Sequence, residues 1–191
     1  MNQHIAPVDL EKSYRLLNHG PTVLVSAHHE GVDNVMAAAW ACALDFSPPK
    51  LTVVLDKNTR TRQLVEQSGQ FLIQVPTVNL LQLTHDVGTT SLNQDTEKLK
   101  HCGVDFFRMN GLALPFVSGC SAWLACKLIS EPHHQQVYDL FIGEVIGACA
   151  DKRVFSEAHW HFEEADPGLR SLHYVAGGQF YAIGESLNAN G

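Results

Sequence analysis

Apolar positions along this chain recur mainly with the period of strands. Residues 22–28 (TVLVSAH), 51–55 (LTVVL) and 70–75 (QFLIQV) are short apolar runs rich in β-branched side chains and bounded by polar, Gly or Pro positions, so each predicts a strand. Helical spacing is confined to short pieces. Residues 9–18 carry Leu10, Leu16 and Leu17 behind a capping Asp9 and stop before Gly20-Pro21. Residues 62–68 predict a second helix ended by a left-handed Gly69, and Asn79 with Gln82 has the spacing of a capping box for a third.

Residues 35–44 fit less easily. They read as the return strand of a hairpin after residues 30–34, yet Ala occupies positions 37, 38, 39, 41 and 43. Such small side chains pack poorly unless something flat or bulky lies against them. Phe46-Ser47-Pro48-Pro49 is a turn, since two prolines remove two donors and fix two φ angles. Residues 88–110 are polar and predict a long loop with a short helix over 95–101, a kind of segment often used as a lid or binding loop. Strand-like runs follow at 120–129, 136–149 and 178–183, whereas 159–174 fits neither period. Many short strands with few helices predict a closed or nearly closed antiparallel barrel.

The bulk properties narrow the class. With 191 residues, 45% of them hydrophobic and 17% charged, the chain reads as a single globular domain over 1–191. Twenty acidic against 13 basic residues give a net charge of -7, which argues against a general grip on nucleic acid. The first residues show no basic-then-apolar leader and no window approaches the ~20 apolar residues of a spanning helix, so a cytoplasmic address without membrane contact is expected. Five cysteines without a CxxC pair read as buried free thiols. His159-Trp160-His161 could offer two imidazoles to a metal that would need a third ligand such as Glu163 or Glu164, but no HExxH or paired-Cys spacing is present, and surface or interface histidines are the preferred reading. Neither GxSxG nor GxGxxG occurs, which removes the sequence signs of a hydrolase elbow and of a Rossmann nicotinamide domain.

Residues 56–61 (DKNTRT) join a strand to a helix. Free N–H groups at a helix start, with Thr hydroxyls and cations beside them, suit a phosphate, and Lys57, Arg60 and Arg62 are three of the 13 basic residues. Residue chemistry alone equally allows a capped helix with a solvated face.

The run NVMAAAWACALDFSPPKLTVVLDKNTRTRQLVEQSGQFLIQVP resembles the core of the flavin reductase-like family of FMN-binding split barrels, closest to its flavoredoxin-like branch. Glu97-Lys98-Leu99, then Pro115 ahead of Ala122-x-Leu124-x-Cys126, then Leu140-Phe141-Ile142-Gly143-Glu144-Val145, then Leu172-x-Tyr174 before Tyr181, follow in that family's order. The resemblance implies a mainly β, Greek-key split barrel that binds FMN non-covalently at a homodimer interface. It implies that Ala38, Ala39, Trp40, Ala41 and Cys42 run beside the isoalloxazine and that Ser47 lies near the ring or ribityl chain. Asp56, Lys57, Asn58, Thr59 and Thr61 would hold ribityl and phosphate, with Arg60 or Arg62 adding charge, and Tyr174 or Tyr181 would border a substrate cavity. No catalytic side chain is implied, because the flavin carries the hydride chemistry. The implied activity is NAD(P)H-dependent reduction of flavin or a small acceptor; the alternative is an electron carrier reduced by a partner protein. One departure stands out: a His often precedes the LFIGEV-like strand, and this chain has Tyr138-Asp139 there.

Overall fold

The computed structural model describes residues 3–189. In chain order it contains β1 (Ile5–Pro7), a 3-10 turn (Leu10–Leu16), β2 (Val23–His29), β3 (Val32–Ala38), β4 (Ala41–Phe46), β5 (Pro49–Val54), α1 (Arg60–Ser68) and β6 (Gln70–Val75). A 3-10 turn (Val78–Leu80), α2 (Leu81–Thr89), α3 (Lys98–His101), β7 (Phe106–Met109), β8 (Leu112–Val117), β9 (Ala122–Ile129), α4 (Pro132–Tyr138) and β10 (Leu140–Asp151) follow. The chain then passes through β11 (Phe155–Ser156), β12 (His159–Trp160), a 3-10 turn (Pro167–Leu169), β13 (Leu172–Ala176) and β14 (Gln179–Ala182).

The main sheet is antiparallel with order β3-β2-β6-β9-β10-β5-β4, and β1 pairs with the far end of β10. Its two edges, β3 and β4, are consecutive in the chain and joined only by Ala39 and Trp40, so the sheet wraps into a split barrel. The expected single strand over residues 35–44 is therefore two. Val23↔Ala38 ends the pairing with β2, Ala41↔Val53 begins the pairing with β5, and the Trp40 carbonyl accepts from Val54 N–H at 3.0 Å.

Strands in the middle of the sheet are apolar on both faces because both are covered. Val25, Phe71, Ile73, Leu124 and Phe141 point into one buried cluster with Leu16, Val53 and Leu64. Their alternates Leu24, Leu72, Trp123 and Ala125 point into a second cluster under β7, β8 and α2 with Val35, Val87 and Phe116. Period-two alternation thus separates two cores instead of core from solvent.

The helix α1 starts at Arg60, two residues before the sequence pattern places it, because the Thr59 side chain accepts from Arg62 N–H as its cap. Gly69 closes it in the left-handed region at φ 67°. Three expectations need correction. Asn79 does not cap a helix: the 3-10 turn Val78–Leu80 leads into α2, and the Asn79 amide packs against Gly168. Residues 136–138 belong to α4, not to the following strand, since Pro132 at the first turn and the Gln135 Oε1 contact to Glu131 N–H (3.0 Å) favour a helix there. Within residues 88–110, Gly88 and Thr89 finish α2 and β7 forms a hairpin with β8 about Asn110-Gly111, a turn signal the sequence does carry.

Candidate functional site

Small and polar side chains line a space between β3, α2 and the β13–β14 hairpin. A cavity of about 440 Å³ is floored by Ala37, Ala38 and Ala39 and walled by Thr84, His85, Tyr174 and Phe180. α2 comes close to β3 because residue 88 is Gly: a Cβ there would lie 3.1 Å from Ala37 Cβ. The hairpin closes over the cavity through Gly177-Gly178, both at positive φ (59° and 80°), where side chains would be strained.

A second cavity of about 100 Å³ opens at the start of α1 and meets the first at Gly88 and Thr89. Thr59, Arg60 and Thr61 line it from α1, Asn34 and Met36 from β3, and Ser91 and Lys98 from the loop and α3. Asn34 Nδ2 donates to Thr61 Oγ1 at 3.0 Å, while Asn34 Oδ1 is buried with no hydrogen-bond partner among the described residues. Lys98 is only 2% exposed, and its Nζ donates to the carbonyls of Val35 (2.8 Å) and Val87 (3.0 Å). Neither partner is charged, so burial pulls its pKa down to about 8. Around one small space lie a buried ammonium with no counter-ion and an amide oxygen with no partner, both among the described residues, and a helix N-terminus.

The expected residues distribute unevenly over this geometry. Ala38, Ala39 and Tyr174 line the larger cavity, and Thr59, Arg60 and Thr61 the smaller one. Asp56, Lys57 and Asn58 form the exposed turn before α1: Asp56 Oδ1 accepts from Asn58 N–H at 2.8 Å and its carbonyl accepts from the Thr59 hydroxyl at 2.8 Å. Ala41 packs against the barrel core, and Ser47 sits in the exposed turn between β4 and β5. Trp40 (75% exposed), Cys42, Leu44 and Phe46 form an outward apolar face at the sheet edge, and Cys42 is thus not a buried thiol. Tyr181 is exposed on the hairpin, its hydroxyl accepting from Gln179 at 3.3 Å. Arg62 does not reach the smaller cavity. It is buried the other way, bonding Glu66, Asp139 and the carbonyls of Leu55 (3.2 Å) and Gln135 (2.7 Å), with its guanidinium 5.2 Å from the Phe141 ring centroid.

Sequence reading missed Asn34, Thr84, His85, Thr89 and Lys98 as cavity residues. Lys98 had a signal, since it follows Glu97 within a segment quoted for the resemblance. His159 and His161 face backbone carbonyls of Glu157 (2.7 Å) and Ser156 (3.3 Å), and among the described residues no group of three or more His, Cys, Asp or Glu is placed to hold a metal.

The fold and this paired cavity define a flavin reductase-like protein: residues 15–170 match the flavin reductase-like domain, and the chain belongs to that family. Its structure superposes with a TM-score of 0.96 on an FMN-binding domain of a flavin reductase-like enzyme from Shewanella baltica, 70% identical over 97% of each chain. An Escherichia coli protein, the uncharacterized protein YddH, is 40% identical over 186 residues, 96% of this chain and 97% of its own. Flavoredoxin of Desulfovibrio vulgaris shares the fold with a TM-score of 0.75 at 24% identity, covering 88% of this chain and 89% of its own.

Proposed function

We propose that this chain binds FMN across the two joined cavities and works as an NAD(P)H-dependent oxidoreductase that reduces flavin or a small acceptor. The observation that carries the reading is Lys98, a buried cation beside the N-terminus of α1 with no acidic partner among the described residues. A phosphate supplies the missing anion. Thr59, Thr61 and the first N–H groups of α1 would bond its oxygens, Lys98 and Arg60 would balance its charge, and Asn34 Oδ1 would accept from a ribityl hydroxyl. Ala37 to Ala39, with no side chain beyond Cβ, leave room for a flat ring in the larger cavity. When bound, FMN supplies the two-electron chemistry; the residues here bind and orient it and keep water from one face.

The exposed edge of Trp40 (75%), Leu44 (53%) and Phe46 (65%) is proposed to be covered by a second copy of the chain, making a homodimer that shields the ring. Five free thiols, three of them buried, fit a reducing cytoplasmic compartment, and among the described residues no helix is long and apolar enough to cross a membrane.

The test is titration of the purified protein with FMN, followed by absorbance and melting temperature, and then anaerobic stopped-flow mixing of the loaded protein with NADH and NADPH. Bleaching of the flavin band with either nucleotide is expected. A protein that neither colours nor gains stability with FMN refutes the flavin reading. Loading without bleaching refutes the reductase and leaves an electron carrier served by a partner protein.

A further inference from the structure

β9 and β10 carry, under β1 and the β7–β8 hairpin, a second pair of cavities that among the described residues share no lining residue with the two assigned to the flavin. One, of about 330 Å³, is apolar: the hairpin gives it Met109, Leu112 and Phe116, β1 gives Pro7, and Ala125 and Gly147 are its floor. The other, of about 490 Å³, meets it at Ile5 and Trp123 and is lined by Arg108, Asn110, Ser118, Asp151 and Arg153. Gly147 keeps the apolar cavity open without being required by packing. Its φ lies outside the left-handed region, and it pairs with Ala125, whose Cβ is all that a Cβ at 147 would meet, at an ordinary 3.8 Å. A side chain is thus allowed there and would fill the cavity, whereas Gly143 on the same strand has the Phe71 ring in the way.

The polar end is held by its own ion pairs. Arg153 grips both oxygens of the buried Asp151 through Nε and Nη2 at 2.5 to 3.1 Å, and Arg108 Nη2 donates to Asp33 Oδ2 at 2.5 Å. Nη1 of both arginines and Nε of Arg108 have no hydrogen-bond partner among the described residues. A guanidinium carries five donors in a fixed fork, so one anchored along one edge offers another edge to an anion. The lining sets two cations, Arg108 and Arg153, against one anion, Asp151, in a chain of net charge -7.

We propose that these joined cavities bind a small amphipathic carboxylate, its aliphatic chain lying over Ala125 and Gly147 and its head group between Arg108 and Arg153. An apolar trough with a few placed polar groups at one end is the usual build of a small-molecule site. Met109, flexible and beside Leu112, adapts to a bending chain. The two guanidiniums select a carboxylate over a neutral amide of the same length, because only the anion makes charge-assisted bonds to them.

The experiment titrates the full chain, with and without FMN, with octanoate, octanamide and acetate, by calorimetry and by the NMR signal of the Trp123 indole N–H, which donates to the Val117 carbonyl at 3.1 Å. Octanoate is expected to bind in both states and to shift Trp123 while Trp40 and Trp160 stay put. Octanamide should bind about ten-fold more weakly for want of a charge-assisted bond, and acetate, which has no chain, should give no shift. Gly147→Val fills the trough and should abolish octanoate binding at unchanged FMN affinity. Should that variant fail to fold, Arg108→Gln serves, since it leaves Asp33 still paired with His28. It should weaken octanoate about ten-fold and leave octanamide as it was. Octanamide binding as tightly as octanoate overturns the proposal, and so does full octanoate affinity in either folded variant. Displacement of FMN by octanoate, or a shift at Trp40 in place of Trp123, also overturns it by moving the ligand to another site.

Discussion

Asn34 on β3 and Thr61 on α1 are joined by a buried hydrogen bond, Nδ2 to Oγ1 at 3.0 Å, across 27 residues of chain. The bond fixes the first turn of α1 against the sheet edge, and the Asn34 oxygen, in a residue that lines the smaller cavity, is left buried without a partner among the described residues. Replacing Asn34 by Ala removes both. The expected result is a loss of about 1–2 kcal/mol in stability, since Thr61 Oγ1 loses its donor, and about ten-fold in FMN affinity. Denaturant unfolding and FMN titration of the variant check the two effects separately. Intact FMN affinity would remove Asn34 from the cofactor site.

Lys98 makes the proposed phosphate corner sensitive to pH. Burial holds its pKa near 8, so the free protein carries the ammonium below that pH and loses it above. A phosphate dianion favours the charged form, and binding above pH 8 must take up a proton. FMN affinity should therefore fall as pH rises through about 8, by up to ten-fold per pH unit, while riboflavin affinity stays flat. Lys98→Met should abolish the pH dependence and weaken FMN by roughly 1.5 to 3 kcal/mol. Identical pH profiles for FMN and riboflavin would contradict the assignment.

Gly143, in the Phe141-Ile142-Gly143-Glu144 run of β10, is required by packing. A Cβ there would come within 2.5 Å of the Phe71 ring and 2.9 Å of Cys126 Cβ, both in the closed core. Gly143→Ala should cost about 1–3 kcal/mol through overpacking, read as a lowered melting temperature. A neutral effect would mean that Phe71 can turn aside.

What was legible in the sequence followed from local causes. β6 over Gln70–Val75 has the predicted bounds, and Gly69 marks the end of α1 as expected, whereas the cap at Thr59 starts the helix two residues earlier than the sequence pattern placed it. What was hidden depended on partners distant in the chain. The break after Ala38 has no Gly or Pro to mark it, because it arises where the strand exchanges β2 for β5. Arg62 looked like part of a phosphate corner because it adjoins Thr61. Its role is set instead by Asp139 and Gln135, 77 and 73 residues away.

That role makes a sharp contrast with Arg60. Arg62, its side chain 8% exposed, ties α1 to the corner between α4 and β10. Arg62→Ala leaves Asp139 and two buried carbonyls without their donor, and should destabilise by about 3 kcal/mol. Arg60→Ala should leave stability nearly unchanged and weaken FMN. Unfolding and binding curves on both variants separate the two; equal effects on FMN affinity at equal stability would erase the distinction.

His19 gives the fold an acid limit. Its ring is packed edge-on against Trp160 (centroids 5.0 Å apart), Nε2 faces the Ser171 hydroxyl at 3.1 Å, and Nδ1 is buried without a partner among the described residues. Burial, with His173 nearby, lowers its pKa to about 4 from an ordinary 6.5. Because the folded pKa is the lower one, the unfolded chain binds more protons between these values. Stability is complete above pH 6.5 and drains away as pH falls towards 4, by on the order of 3 kcal/mol. His173, also lowered by burial, adds in the same direction. His19→Phe keeps an aromatic ring against Trp160 and cannot titrate, so its urea midpoint should fall less between pH 6.5 and 4.5 than that of the parent protein. The same slope in both would move the acid sensitivity to another group.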